Sequence, residues 1–143
     1  MSTSTASSIA AREAWALFWH IFSTDKPRRM ATLNELGLAP MQSMALMQLQ
    51  PGEPLTMSAL AGLLMCDNSN VTGIADRLEA QGLVERRPAE HDRRVKTLVV
   101  TEKGVKLRSE VERRMGVPPP PLAGLSEEDA LALRDILQRS LDG

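Results

Sequence analysis

From Leu55 to Gly104 the chain reads as two short helices around a tight turn, a glycine stop, and two β-prone runs joined by a charged tip. Thr56 suits the N-cap of a helix over Met57–Leu64, whose Leu60, Ala61 and Leu64 form a packing stripe. Met65, Cys66 and Asp67 make the turn, and Asp67 or Asn68 can cap the second helix. There Val71, Ile74, Ala75 and Leu78 fall at i, i+3, i+4 and i+7, an apolar face directed to a core. Gly82 ends that helix, and the β-prone runs Leu83–Arg87 and Val95–Val100 follow, separated by Pro88–Arg94.

The opposite face of the second helix carries Ser69, Asn70, Thr72, Gly73, Asp76 and Arg77. Short polar groups at a helix N-terminus let the backbone enter a major groove closely, and the positive end of the helix dipole favours phosphate. Arg86, Arg87, Arg93, Arg94 and Lys96 crowd the hairpin, and Asp92 lies two residues before Arg94. That spacing lets a carboxylate fix the planar guanidinium in one orientation. An aimed arginine at a hairpin tip suits a narrow, negative minor groove. Helix and ribbon together make a shape for reading duplex DNA. A helical hairpin with a solvated face and a charged loop is the plainer alternative.

The net charge of −1 hides a division. Val71–Arg114 carries +3, whereas the residues before it carry −1 and those after it −3. Positive charge therefore gathers where phosphate contact is expected. With 143 residues, 43% apolar and 24% charged, the chain fits one soluble globular domain. No apolar run approaches the roughly 20 residues that span a bilayer, and Met1–Ser8 lacks the pattern of a signal peptide. The single cysteine, Cys66, makes no internal disulfide, so a reducing cytoplasm is the expected location.

The flanks are apolar in a different way. Ile9–Ser23 predicts a helix apolar on most of its circumference, and Trp15, Phe18, Trp19 and Phe22 all fall within it. Such a helix needs burial on more than one side, and in so small a chain a second subunit is the economical source. Pro27 suits the first turn of a short helix with Met30, Leu33 and Leu36, ended by Gly37. Another helix is predicted from Pro40 to Leu49, with a turn at Pro51–Pro54. Thr101 can cap a helix through Val105, Leu107, Val111 and Met115. Pro118–Pro121 is expected to forbid helix and to hold extended polyproline geometry. Ser126 restarts a helix with Glu127, Glu128 and Asp129 in its first turn and Leu131, Leu133, Ile136, Leu137 and Leu141 as its apolar positions.

The order SNVTGIADRLEAQGLVERRPAEHDRRVKTLVVTEKG resembles the winged helix-turn-helix of the MarR family of bacterial transcription regulators. The resemblance implies a mainly α fold with a small β-hairpin wing, plus N- and C-terminal dimerisation helices. It implies one MarR-type domain over residues 1–143, with the winged helix-turn-helix at 55–104 and dimerisation helices at 6–25 and 105–143. It further implies a homodimer, usually a repressor, on a pseudo-palindromic operator. The family's recognition helix maps onto Asn68–Ala80, with Ser69, Asn70, Thr72 and Arg77 at contact positions, and its wing pair onto Asp92 and Arg94, with Arg93 beside them. Gly73 departs from the longer, often basic residue of many members, and the proline run departs from a more continuous C-terminal helix.

Many similar regulators release DNA when a small phenolic or aromatic carboxylate enters a cleft beside the dimer helices. Trp15, Trp19, His20, Met44 and Met47, with Met41 nearby, are material for such a site, since aromatic and thioether surfaces adapt to a flat ring. The same side chains serve equally as dimer core. Cys66 precedes the recognition helix and reads either as an oxidant sensor or as a small buried turn residue. A winged helix used only for protein–protein contact is the alternative function. His20 and His91 are far apart, and no phosphate loop or metal-ligand spacing occurs, so no enzyme, cofactor or metal site is expected.

Overall fold

The structure, a computed structural model, describes residues 2–143, with side chains from residue 5 onward. Met1, the first residue of the polar stretch Met1–Ser8, lies outside the described residues. The elements are α1 (Ser2–Thr24), α2 (Lys26–Glu35), α3 (Pro40–Gln48), β1 (Leu55–Thr56), α4 (Met57–Leu64), α5 (Asn68–Ala80), β2 (Val84–Pro88), β3 (Lys96–Val100), α6 (Glu102–Met115), α7 (Pro120–Ala123) and α8 (Glu127–Asp142). They fall into two compact units, Arg29–Gly116 and the chain up to Arg28 together with Val117–Gly143.

In the Arg29–Gly116 unit local chemistry sets each boundary. Thr56 accepts the Ala59 N–H at 3.0 Å and starts α4. Asp67, rather than Asn68, caps α5 by accepting the Asn70 N–H at 2.9 Å. Gly82, at φ 75°, ends α5, as Gly37 at φ 72° ends the segment after α2. The apolar stripes of α4 and α5 are the ones their spacing predicts. Leu60, Ala61, Leu64, Val71, Ile74, Ala75 and Leu78 are all buried, with Leu46, Leu49, Leu83, Val84 and Leu98 completing the centre of the core.

The sheet has three antiparallel strands in the order β1-β3-β2, with Val84 opposite Val100 and Arg86 opposite Leu98. The hairpin expectation is thus extended by β1, whose Leu55 lies opposite Leu98. Two residues carry no alternation to detect, so the third strand exists only through its partner. With neighbours on both edges, β3 is buried from Thr97 to Val100.

The junction behind the wing is tight. Thr101 Oγ1 donates to the Gly82 carbonyl at 2.6 Å and accepts the Gly104 N–H at 3.1 Å, while the Thr101 N–H donates to the Leu83 carbonyl at 3.0 Å. A Cβ on Gly104 would lie 2.2 Å from that carbonyl oxygen and 2.7 Å from Val100 Cγ2.

In the other unit, α1 has no buried residue among those whose side chains are described, and α7 and α8 have none. Trp15 and Phe18 stack with centroids 6.0 Å apart, and Trp19–Phe22 follow at 5.9 Å along the same helix. Arg28 holds the Asp25 carboxylate through Nε and Nη2 at 2.6 and 2.8 Å, and Nη2 also donates to the Val117 carbonyl at 3.1 Å. Ser126 caps α8 as expected, accepting the Asp129 N–H at 3.1 Å. One expectation fails here. The Pro118–Pro121 run is not extended throughout, because Pro120 and Pro121 open the short helix α7. The first residues of a helix need no N–H partner and take φ near that of proline, so the ring is accommodated there.

Gly104→Ala is expected to destabilise the protein by about 1–3 kcal/mol, because a backbone oxygen blocks the methyl. Met65 holds a left-handed backbone (φ 55°) with 93% of its surface exposed, so Met65→Gly is expected to raise stability by up to about 1 kcal/mol. Urea midpoints of the two variants, moving in opposite directions from wild type, are the check.

Candidate nucleic-acid interface

The candidate recognition surface begins with the cap of α5. One Asp67 oxygen accepts both the Asn70 N–H at 2.9 Å and the Ser69 hydroxyl at 2.7 Å. These bonds, with that from Asn70 first, hold the Asp67 carboxyl below its ordinary value of 3.8. Thr72 Oγ1 donates back to the Asn68 carbonyl at 2.8 Å. The hydroxyl protons of Ser69 and Thr72 are therefore engaged within the helix, and what these residues offer outward is their oxygen lone pairs. The Asn70 and Arg77 side chains make no hydrogen bond or ion pair among the described residues. Asn70 keeps a free amide with donor and acceptor side by side, and Arg77 a free fork of donors.

Gly73 sits between them, and a Cβ placed on it would meet no atom within 4 Å. Its missing side chain leaves a shallow groove of about 390 Å³ lined by Met41, Cys66, Ser69, Asn70, Ile74 and Arg77. Cys66 is half-buried and packs against the core, as a small turn residue does.

At the wing tip, Asp92 accepts the Arg94 backbone N–H at 3.0 Å, Nε at 3.2 Å and Nη2 at 3.5 Å. The spacing read from sequence thus produces a two-oxygen clamp, while 92% of the Arg94 side chain remains open to solvent. The loop is closed by Ala89 N–H to the Val95 carbonyl at 2.8 Å and Val95 N–H to the Asp92 carbonyl at 3.0 Å. Arg93 adjoins Arg94 and has no partner among the described residues. Arg87 is paired with Glu85 at 2.7 Å.

Arg86 behaves differently from the other wing cations. It reaches α5, where it pairs with Asp76 and lies 3.4 Å from the Thr72 carbonyl. By position in the chain it groups with the ribbon charges. The signal that distinguishes it is the period-two alternation of β2: Arg86 lies on the same strand face as the buried Val84.

The suggested effector residues divide between the two units. Trp15, Trp19 and His20 are exposed on α1, Trp15 by 64%. Met44 is exposed on α3, whereas Met47 packs against the core of the Arg29–Gly116 unit. Among the described residues no three His, Cys, Asp or Glu side chains group as a metal site. No helix among them is long and apolar enough to cross a membrane.

A capped helix with an open polar face, set beside a three-stranded sheet with a clamped arginine at its tip, defines a winged helix-turn-helix protein. A family model described as MarR family matches residues 36–95. The repressor MdtR of Bacillus subtilis is 30% identical over 112 residues, covering 78% of this chain and 72% of that protein. The regulator YfiV of the same organism is 31% identical over 96 residues, 67% of this chain and 60% of YfiV. The solved structure of a MarR family protein from Bacillus stearothermophilus superposes with a TM-score of 0.76 at 28% identity, covering 93% of this chain and 94% of that one. The chain belongs to the MarR family. It is a transcriptional regulator of the winged helix-turn-helix type and not an enzyme.

The depressed Asp67 group fixes the sign of one pH effect. Its stabilising contribution is complete above its unfolded value, 3.8, and is lost as pH falls through its lower folded value. Thermal melts of wild type and Asp67→Ala are therefore expected to differ at neutral pH and to converge in acid.

Proposed function

We propose that this protein is a homodimeric repressor that reads a pseudo-palindromic operator with α5 in the major groove and Arg94 in the adjacent minor groove. The observation that carries the reading is Arg94, held at the wing tip by Asp92 and otherwise open to solvent. Asn70, Arg77, Arg93 and the acceptor oxygens of Ser69 and Thr72 supply the remaining contacts. Two copies related by a two-fold axis would place their α5 helices in grooves about 34 Å apart.

The pairing of copies is assigned to residues 6–25 and 105–143, and reading to residues 55–104. In support, Ile9, Trp15, Leu17, Phe18, Trp19 and Phe22 of α1 are exposed in the single chain, a run of large apolar side chains of the kind that marks an interaction surface. Release by a small phenolic or aromatic carboxylate is part of the proposal, with Trp15, Trp19, His20, Met44 and Met47 as the residues it would meet. Action in the cytoplasm follows from a DNA target.

Arg94→Ala is expected to lower affinity for a duplex selected by the wild-type protein by about tenfold or more, with an unchanged melting temperature. Unaltered binding would remove Arg94 from the interface, and failure of the wild type to select any duplex would favour a protein–protein role. Both tryptophans lie in α1, so intrinsic fluorescence reports on that helix alone. Titration with phenolic acids is expected to change it at concentrations that release DNA. A flat response to each, with DNA binding intact, would assign the ladder to the dimer core.

A further inference from the structure

We infer that Arg86 is a positioning residue that locks the wing to the recognition helix, so that Arg94 and α5 meet DNA in one geometry. The inference rests on the DNA-reading role proposed above. Arg86 rises from β2 on the face shared with buried Val84, and its guanidinium engages two points one turn apart on α5, the Asp76 carboxylate and the Thr72 carbonyl. The wing then extends beyond this anchor through Arg87 and Pro88 to the loop that holds Arg94. A small rotation at the anchor becomes a larger displacement at the tip, since each strand residue adds about 3.3 Å of lever.

Stability alone does not account for this residue. Arg86 Nε is buried and has no acceptor among the described residues, and an apolar side chain in its place would avoid that cost. What the guanidinium supplies and an apolar side chain lacks is direction. Thr72 and Asp76 stand on the exposed side of α5, so a bond to them fixes the face of the helix relative to the ribbon. The arrangement also cancels the Asp76 charge, which stands next to Arg77 with 59% of its side chain exposed and would otherwise confront phosphate.

The experiment uses the full chain and a duplex enriched from random-sequence DNA by the wild-type protein. Binding is measured for Arg86→Gln, Asp76→Asn, Arg94→Ala and the Arg86→Gln/Arg94→Ala pair. A positioning role predicts that Arg86→Gln weakens binding about tenfold and that Arg94→Ala then costs far less than in wild type. It also predicts that Asp76→Asn weakens binding although it removes a negative charge from a DNA-facing helix. An electrostatic role alone predicts the reverse, so tighter or unchanged binding by Asp76→Asn overturns the assignment. Additive losses for Arg86→Gln and Arg94→Ala would make Arg86 an independent phosphate contact and overturn it too. If the wild type enriches no duplex, the DNA reading itself fails and this inference with it. Melting curves of Asp76→Asn, expected to match wild type, separate lost positioning from lost folding.

Discussion

The seating of the Gly104 backbone against the Leu83 carbonyl is the contact on which the winged helix-turn-helix depends. At that point the loop leaving α5, the first residue before β2, the end of β3 and the first turn of α6 meet within one hydrogen-bonded knot, tied by Thr101. Thr101 caps α6 and grips Gly82 with a single hydroxyl. A longer residue at Gly104 would force these four segments apart. Helix, ribbon and following helix therefore hold their places as one body, and the chemistry on their surface inherits that rigidity.

Much of the polar chemistry on that surface is used up internally. Ser69, Thr72, Arg86 and Arg87 are polar, yet each is wholly or partly engaged by Asp67, Asn68, Asp76 or Glu85. Asn70, Arg77, Arg93 and the outward edge of Arg94 remain for an external partner. Internal pairing thus orients more groups than it removes, because a guanidinium held at one edge still presents donors at the other. Gly73 widens the same face into a groove, where a longer side chain would stand in open space.

The helices outside Arg29–Gly116 pose the complementary problem. α1 and α8 carry apolar side chains that the single chain leaves exposed, including Trp15, Leu17, Phe18, Ile136 and Leu141. The Arg29–Gly116 unit has a closed core, and these helices have no buried side chain among the described residues. The hydrophobic effect then favours whatever surface can cover them, and the proposed second copy would offer one.

The sequence by itself determined the elements whose signals are local. Caps at Thr56, Asp67, Thr101 and Ser126, glycine stops at Gly37 and Gly82, and the buried stripes of α4 and α5 are all properties of neighbouring residues along the chain. The Asp92–Arg94 clamp belongs with them, since both groups lie in one loop. Tertiary structure decided what depends on distant partners. β1 is a strand only because Leu98 lies beside it, and Gly104 is constrained only because Leu83 turns back toward it. Arg86 binds α5 because the strand pleat aims it there, ten residues along the chain from Asp76. The proline run shows the same limit from the other side. Proline's rule against helix is local, but whether Pro120 falls in a first turn, where the rule does not apply, depends on how the chain leaves α6.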